Sequence, residues 1–243
     1  MSLVSKIERM VSKYKQQGYF IVLDLYAGLG GTARGIQKVL KERKIKFLYL
    51  AVEWNYKVAF AHKKNNPDSY IIIDNAWSYL SLIHLVDFIW ASPPCQTHSK
   101  WNEINRGRKI NRKPIDWSLW ELIDRFQISD HSFIYIVENV NPFYNKPFKN
   151  DFEIGRHNFW TNIKKLVKFD YSKPKKVFNK MEINDWLEYH QLETIDSSRY
   201  LKRQALRNCV HWSIAANIFE QFLEPKHKNL DSFLFHSEEV KQT

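Results

Sequence analysis

Cysteine is scarce in this chain: 243 residues contain two, Cys95 and Cys209. Neither a disulfide framework nor a cysteine-rich metal site can be built from that pair, so no metal is expected, and the usage points to a reducing, cytoplasmic compartment. Long apolar runs are also missing, which excludes a membrane span and a membrane partner. The opening MSLVSKIERMVSKYK is broken by charges and does not read as a signal peptide; Leu3, Val4, Ile7, Met10, Val11 and Tyr14 share one face of a helix instead. Acidic residues are outnumbered, 26 against 37 lysines and arginines, for a net charge of +11. That balance favours a polyanionic partner, nucleic acid first. Glycine, too, is rare: there are seven in all.

What the chain has in quantity is hydrophobic and aromatic residues, 44% and 15%, enough for a full core. Apolar β-rich segments (Phe20 to Leu25, Phe47 to Val52, Tyr70 to Ile73, Val86 to Trp90, Phe133 to Val137) alternate with helical patterns (Gly31 to Glu42, Trp54 to Lys64, Trp117 to Ile128). This order predicts an α/β fold, a mostly parallel twisted sheet with helices on both faces. Ligands in such folds sit at the carboxyl ends of the strands. The chemically interesting residues fall there: Asp24 onward, Glu53, Asp74, Ser92 to Gln96, and Glu138.

Four of the seven glycines, Gly28, Gly30, Gly31 and Gly35, lie within eight residues of one another in LDLYAGLGGTARG, directly after the first strand. A glycine loop between strand and helix lets a backbone approach a nucleotide-like ligand. The second strand ends in AVEWN, where Glu53 can accept hydrogen bonds from ribose hydroxyls and Trp54 can stack on a purine. Read alone, these two are better taken as a surface glutamate and a core tryptophan. Asp74 ends the third strand, where an exocyclic amino group and a helix cap are competing roles.

Cys95 stands in ASPPCQTHSK behind Pro93 and Pro94, so the backbone ahead of it has little freedom. A lone cysteine is commonly inert packing, but this one is held at a strand end on the edge that carries the glycine loop. IVENV places Glu138 and Asn139 at the end of the next strand, where a carboxyl can protonate a ring nitrogen. EIGRHNFW adds Arg156 as a charged donor.

In their order, DLYAGLGG, EWN, the acid after the third strand, PPCQ, ENV, the arginine stretch and the late RNCV resemble the motifs of the S-adenosylmethionine-dependent cytosine-C5 DNA methyltransferases. The resemblance runs from Asp24 to Val210 and implies a Rossmann-like class I methyltransferase fold. It implies S-adenosyl-L-methionine as cofactor, bound by Asp24, Tyr26, Ala27, Gly28, Gly30, Gly31, Glu53, Trp54, Asp74, Asn75, Pro93, Asn208 and Val210. It also implies Cys95 as the nucleophile on C6 of cytosine, Glu138 as the group at N3 and the exocyclic amine, and Arg156 at the ring oxygen. The target base must leave the stack first. The chain departs from the family in Tyr26-Ala27-Gly28 for Phe-Cys-Gly, in an arginine stretch reduced to Arg156, and in Arg207-Asn208-Cys209-Val210 for Gly-Asn-Ser-Val. Cys209 is read as packing.

The stretch THSKWNEINRGRKINRKP after the nucleophile carries six basic residues and one acid. Gln96, Ser99, Lys100, Arg106, Arg108, Lys109, Arg112 and Lys113 are the expected nucleic-acid contacts. Between the arginine stretch and RNCV only 163–200 is available, a small basic insert too short for the family's usual target-recognition domain; weak or short sequence specificity follows. Residues 1–162 and 201–224 are expected to form the catalytic domain, and 225–243 a C-terminal extension. DNA is the expected partner, associating the protein with the nucleoid. RNA, a separate specificity or restriction partner, and any oligomeric state stay open. So do two other readings: cytosine-N4 methylation, from Ser92-Pro93-Pro94, and a nucleic-acid-binding relative that has lost turnover.

Overall fold

The computed structural model describes residues 2–99, 102, 104, 113–129, 132–164, 166–171, 173–177, 180–193 and 196–224. Its centre is a seven-stranded sheet of β1 (Phe20–Leu25), β2 (Phe47–Val52), β3 (Ser69–Ile72), β4 (Phe88–Ala91), β5 (Ile134–Val140), β6 (Phe152–Ile154) and β7 (His157–Thr161), in the order β3-β2-β1-β4-β5-β7-β6. The first five strands in chain order are parallel; β7 runs antiparallel to both β5 and β6. The chain leaves β1 towards β2 on one side and returns to β4 on the other. The edge between β1 and β4 is therefore the switch point where such sheets bind ligands.

Both faces are covered. On one, α1 (Leu3–Gln16), a 3-10 turn at Ala76–Leu82 and α4 (Ser118–Ile128) cover a core that includes Ile7, Val11, Leu23, Leu82, Ile123 and Phe126. On the other, α2 (Gly31–Glu42) and α7 (Trp212–Leu223) enclose Val22, Ile36, Tyr49, Phe88, Ile218 and Phe219. Burial on both sides explains why β1 reads as a nearly unbroken apolar run. Its exception, Asp24, is 1% exposed and accepts a 2.8 Å hydrogen bond from the Tyr49 hydroxyl. Gly35 lets α2 and α7 approach closely: a Cβ there would lie 2.2 Å from the Trp212 carbonyl oxygen.

Helix α3 is Tyr56–Asn65, two residues shorter at its start than the periodicity suggests. Asn55 is the reason, because its Oδ1 accepts from the backbone N–H of Lys57 (3.1 Å) and Val58 (3.3 Å) and caps the helix there. Strand β7 escapes the sequence reading altogether. Its residues, HNFWT, are fully buried and show no alternation.

The segment between β7 and the late motif is integrated with the rest. Helices α5 (Ile183–His190) and α6 (Arg199–Asn208) close a third apolar cluster, in which Met181, Trp186, Leu192, Leu206 and Cys209 pack with Leu29, Val58 and Ala61 of the sheet-forming part. Part of its basic character is neutralised locally, Lys175 pairing with Glu188 and Lys176 with Asp185 of α5.

Candidate active site

A cavity of about 160 Å³ opens at the switch point. Three segments meet there: the loop after β1, the ends of β2 and β4, and the wall formed by β5, β7 and α6.

The loop after β1 is held in an unusual backbone shape. Tyr26 has φ 61° and Gly30 φ 86°, a region that non-glycine residues rarely enter. At Gly30 a side chain is doubly excluded, since a Cβ would fall 2.1 Å from Asn66 Nδ2, the atom that donates to the Gly30 carbonyl at 3.1 Å. Gly31 opens α2 against the late motif: a Cβ there would sit 2.0 Å from the Val210 carbonyl oxygen and 2.7 Å from Cys209 Sγ. The loop is thus shaped by its packing as well as by any ligand. Of the residues expected at the cofactor, Tyr26, Ala27, Gly28, Gly31, Glu53, Trp54, Pro93, Asn208 and Val210 line the cavity. Asp24, Gly30, Asp74 and Asn75 are absent from its lining. Asp74 instead accepts from the Asn75 N–H (2.7 Å) and the Tyr79 hydroxyl (3.0 Å), while Asn75 accepts from the Trp77 N–H (3.1 Å). Of the two roles open at Asp74, the observed contacts are those of a turn at the start of the 3-10 segment.

Glu53 is 7% exposed, and its oxygens accept from the N–H of Gly28 (3.1 Å) and of Asn55 (2.9 Å). Burial raises its carboxyl above the usual range and these two hydrogen bonds pull it back. Each oxygen keeps a lone pair for a ligand hydroxyl. Trp54 beside it is 73% exposed, so the core reading of this tryptophan does not apply. An indole flanking a cavity, a buried acid at the end of β2 and a glycine edge too tight for side chains fit an adenosyl group.

The loop after β4 is clamped from β5. The Asn139 amide donates to the Pro93 carbonyl at 2.9 Å, and the Phe143 N–H donates to the His98 carbonyl at 3.1 Å. This explains why ENV follows PPCQ in the chain: the asparagine fixes the proline pair, and the glutamate next to it faces the cavity. Cys95 and Glu138 both line it. The Cys95 thiol donates to Asn208 Oδ1 at 3.4 Å. Burial pushes that thiol up to about 11, and the Glu138 charge adds to the rise against the opposing pull of Arg156 and Arg207. The thiol is protonated at neutral pH, so a thiolate forms there only if a proton leaves.

Arg156 occupies the turn between β6 and β7 and lines the same cavity; its Nη2 donates to the Arg207 carbonyl, tying the turn to the end of α6. His157, which the sequence reading passed over, has its Nδ1 2.5 Å from Glu138 Oε1. The signal was one residue from Arg156, but it needed β7 and its register to be seen. Leu201, Gln204 and Ala205 of α6 also line the cavity, and only the fold brings them there. Among the expected nucleic-acid contacts, Gln96 lines the cavity, Ser99 Oγ lies 3.5 Å from the Gln96 carbonyl oxygen, and Lys113 is exposed. Lys100, Arg106, Arg108, Lys109 and Arg112 lie outside the described residues. Asn102 pins both ends of that stretch, donating to the carbonyls of Thr97 (3.1 Å) and Lys113 (2.9 Å) and accepting from the Lys113 N–H (3.2 Å).

Among the described residues no three His, Cys, Asp or Glu side chains are grouped to hold a metal ion, and no helix is long and apolar enough to cross a membrane.

A Rossmann-like sheet with a glycine edge, an acid closing β2 and a cavity at the switch point is the arrangement by which α/β folds bind nucleotide-type ligands, and it is consistent with a class I methyltransferase fold. Within it, residues 20–184 match the family described as C-5 cytosine-specific DNA methylase, and the chain belongs to that family. Its methyl donor is S-adenosylmethionine.

The solved structure of Dnmt2 methyltransferase from S. pombe shares the fold, with a TM-score of 0.51 and 10% identity over 86% of this chain and 99% of that one. The Entamoeba histolytica methyltransferase EhMeth aligns with a TM-score of 0.46 and 13% identity, over 85% of this chain and 99% of that one. A triple mutant of DNMT2 from Spodoptera frugiperda is 24% identical over 53% of this chain and 38% of its own length, with a TM-score of 0.36. The chain therefore spans well under half of that insect enzyme. No curated protein matches the sequence significantly.

Proposed function

We propose that this protein methylates C5 of cytosine in DNA through a covalent adduct between Cys95 and C6. The observation that carries the reading is the convergence of Cys95, Glu138 and Arg156 with the glycine loop, Glu53 and Trp54 on one cavity. When bound, S-adenosylmethionine supplies an electrophilic methyl group on a sulfonium centre. Tyr26, Gly28 and Gly31 would wall its methionine end, Glu53 would hold the ribose hydroxyls and Trp54 would lie against the adenine.

The chain's own residues then do the following. Pro93 and Pro94 present the Cys95 sulfur rigidly, with the Asn139 amide bracing the loop. Glu138 contacts N3 and the exocyclic amine of a cytosine taken out of its stack. As sulfur bonds to C6, Glu138 gives N3 a proton, and the electron pair of the C5–C6 double bond becomes available at C5. Arg156 positions the base at its ring oxygen while bracing the carbonyl of Arg207. Gln96, Ser99, Lys113 and the basic stretch between them hold the phosphates.

DNA as the substrate is supported by the family match and the net charge of +11. The short insert, packed on the sheet-forming part, supports short sequence specificity. The test is methyl transfer from tritiated S-adenosylmethionine to mixed-sequence duplex DNA and, in parallel, to bulk transfer RNA, followed by nucleoside analysis. 5-Methylcytosine in the DNA is the expected product. The same base in RNA alone would change the substrate, and N4-methylcytosine would overturn the mechanism.

A further inference from the structure

His157 and Glu138 form the most enclosed ion pair among the described residues, with side chains 10% and 6% exposed and Nδ1 2.5 Å from Oε1. The register explains the meeting. His157 lies opposite Val140, and Glu138 is two residues along β5, on the same face and diagonal to it. At that separation a proton lies between the two atoms, whichever of them owns it. Only one carboxylate oxygen is engaged by this contact, and Glu138 lines the cavity.

We propose that His157 is a positioning residue that fixes the Glu138 carboxyl towards the target base and stores the proton that Glu138 delivers. The proposal rests on the C5 reading and deepens it. In the addition step the S–H bond of Cys95 breaks and S–C6 forms. The C5–C6 π pair moves towards C5 and C4, the C4–N3 π pair moves onto N3, and N3 takes a proton from Glu138. The proton released by Cys95 restores the one lost from the Glu138–His157 pair, so the step consumes no external acid.

The need for such a store follows from the chemistry of the two groups. A lone carboxyl has lost its proton well below neutral pH, whereas an imidazole ordinarily titrates about two units higher. Two groups in direct hydrogen-bond contact exchange a proton as a pair, so the histidine can return to Glu138 the proton that N3 takes. The other titratable or charged groups around the pair are Cys95 from the loop after β4, Arg156 from the adjoining turn, Arg207 from the last turn of α6, Cys209 and His211 from the junction after it, Tyr189 and His190 from α5, and Tyr171 from the segment after β7. Of these, Cys95 and Cys209 are driven towards their neutral forms by burial, at about 11 and about 12, and His190 to about 3 by the same cause.

The test compares wild type, His157→Asn and His157→Leu in single-turnover methyl transfer on whichever nucleic acid the wild type accepts, from pH 5 to 9. Cofactor binding and thermal melting confirm that each variant is folded. An asparagine amide keeps a donor near the position of Nδ1 but cannot titrate; leucine removes both. The expected result is a loss of about 100-fold in His157→Leu. His157→Asn should recover much of that below pH 6, with the falling limb on the alkaline side moved down by about one unit or more. A wild-type pH profile in His157→Asn, or near-full activity in His157→Leu, overturns the proposal. Silence of the wild type on both DNA and RNA would overturn the C5 reading and this one with it, and differs visibly from silence of the variants alone.

Discussion

The loop that carries Cys95 and the junction that carries Cys209 meet across the same cavity, yet they treat their sulfur atoms differently. Cys95 follows two prolines, is partly exposed, donates to Asn208 and sits among Glu138, Arg156 and Arg207. Cys209 is buried, donates to the carbonyl of Val210 at 3.4 Å and fills the space that the missing side chain of Gly31 leaves. Burial raises both thiols, so acidity alone does not separate them. What separates them is exposure: both line the cavity that Glu138 lines, but Cys95 is partly exposed there and Cys209 is buried. The proposed role of Cys95 as nucleophile rests on its neighbours and its exposure more than on its own titration.

The largest effect that breaks this comparison is removal of each sulfur in turn. Cys95→Ser should lower methyl transfer by at least about 10³-fold with little change in melting temperature. Cys209→Ser should stay within about tenfold of wild-type activity and instead lose about 1–2 kcal/mol of stability, because a hydroxyl replaces a well-packed thiol. Radiolabel transfer and thermal melting of the two variants distinguish these outcomes; matching activity losses would remove the distinction.

Next in size is Gly31→Ala, which presses a methyl group against backbone at Val210 rather than against a flexible side-chain tip. Destabilisation of about 3 kcal/mol is expected, measured by denaturant unfolding, with weaker cofactor binding by calorimetry. An alanine variant that melts like wild type would mean the junction is looser than described.

Alkylation sharpens the comparison further. With the Cys95 thiol held up at about 11, its thiolate is scarce at pH 8, and its reaction with iodoacetamide should be about 100-fold slower than that of a free cysteine, rising steadily towards pH 11. Cys209, at about 12 and buried, should react only on unfolding. Peptide mapping after timed alkylation reads both rates.

The smallest effect concerns Asp24, which faces Cys209 from β1. Burial pushes its carboxyl up to about 8, with the Tyr49 hydrogen bond opposing and Glu53 adding to the rise. The folded state therefore binds a proton that the unfolded chain releases near pH 4, so this contribution to stability is complete below about pH 4 and is lost as pH rises to about 8. Asp24→Asn should flatten the decline in melting temperature across that window. An unchanged slope would show that Asp24 is ionised in the native protein.

Much of this arrangement was readable before any coordinates. Strands β1 to β5 and helices α1, α2 and α4 follow from period and propensity, and their strand ends locate the glycine loop, Glu53, Cys95 and Glu138 on one edge. What was hidden has physical reasons. Strand β7 is buried on both faces, so its sequence lacks alternation, and without β7 the pairing of His157 with Glu138 cannot be inferred. Helix α6 lines the cavity through Leu201, Gln204 and Ala205, residue types that carry no chemical signal. Asp74 and Gly30 sit beside motif residues that reach the cavity, while their own contacts are with Tyr79, Asn75 and Asn66.

The most direct test of the central claim uses purified protein, tritiated-methyl S-adenosylmethionine and duplex DNA with 5-fluorocytosine at its cytosines. Fluorine at C5 blocks release of the adduct, so a denaturation-resistant, labelled protein–DNA complex is expected in wild type and should be absent in Cys95→Ser. Methyl transfer to ordinary DNA with no trapped complex, or a complex that survives loss of Cys95, would contradict the account.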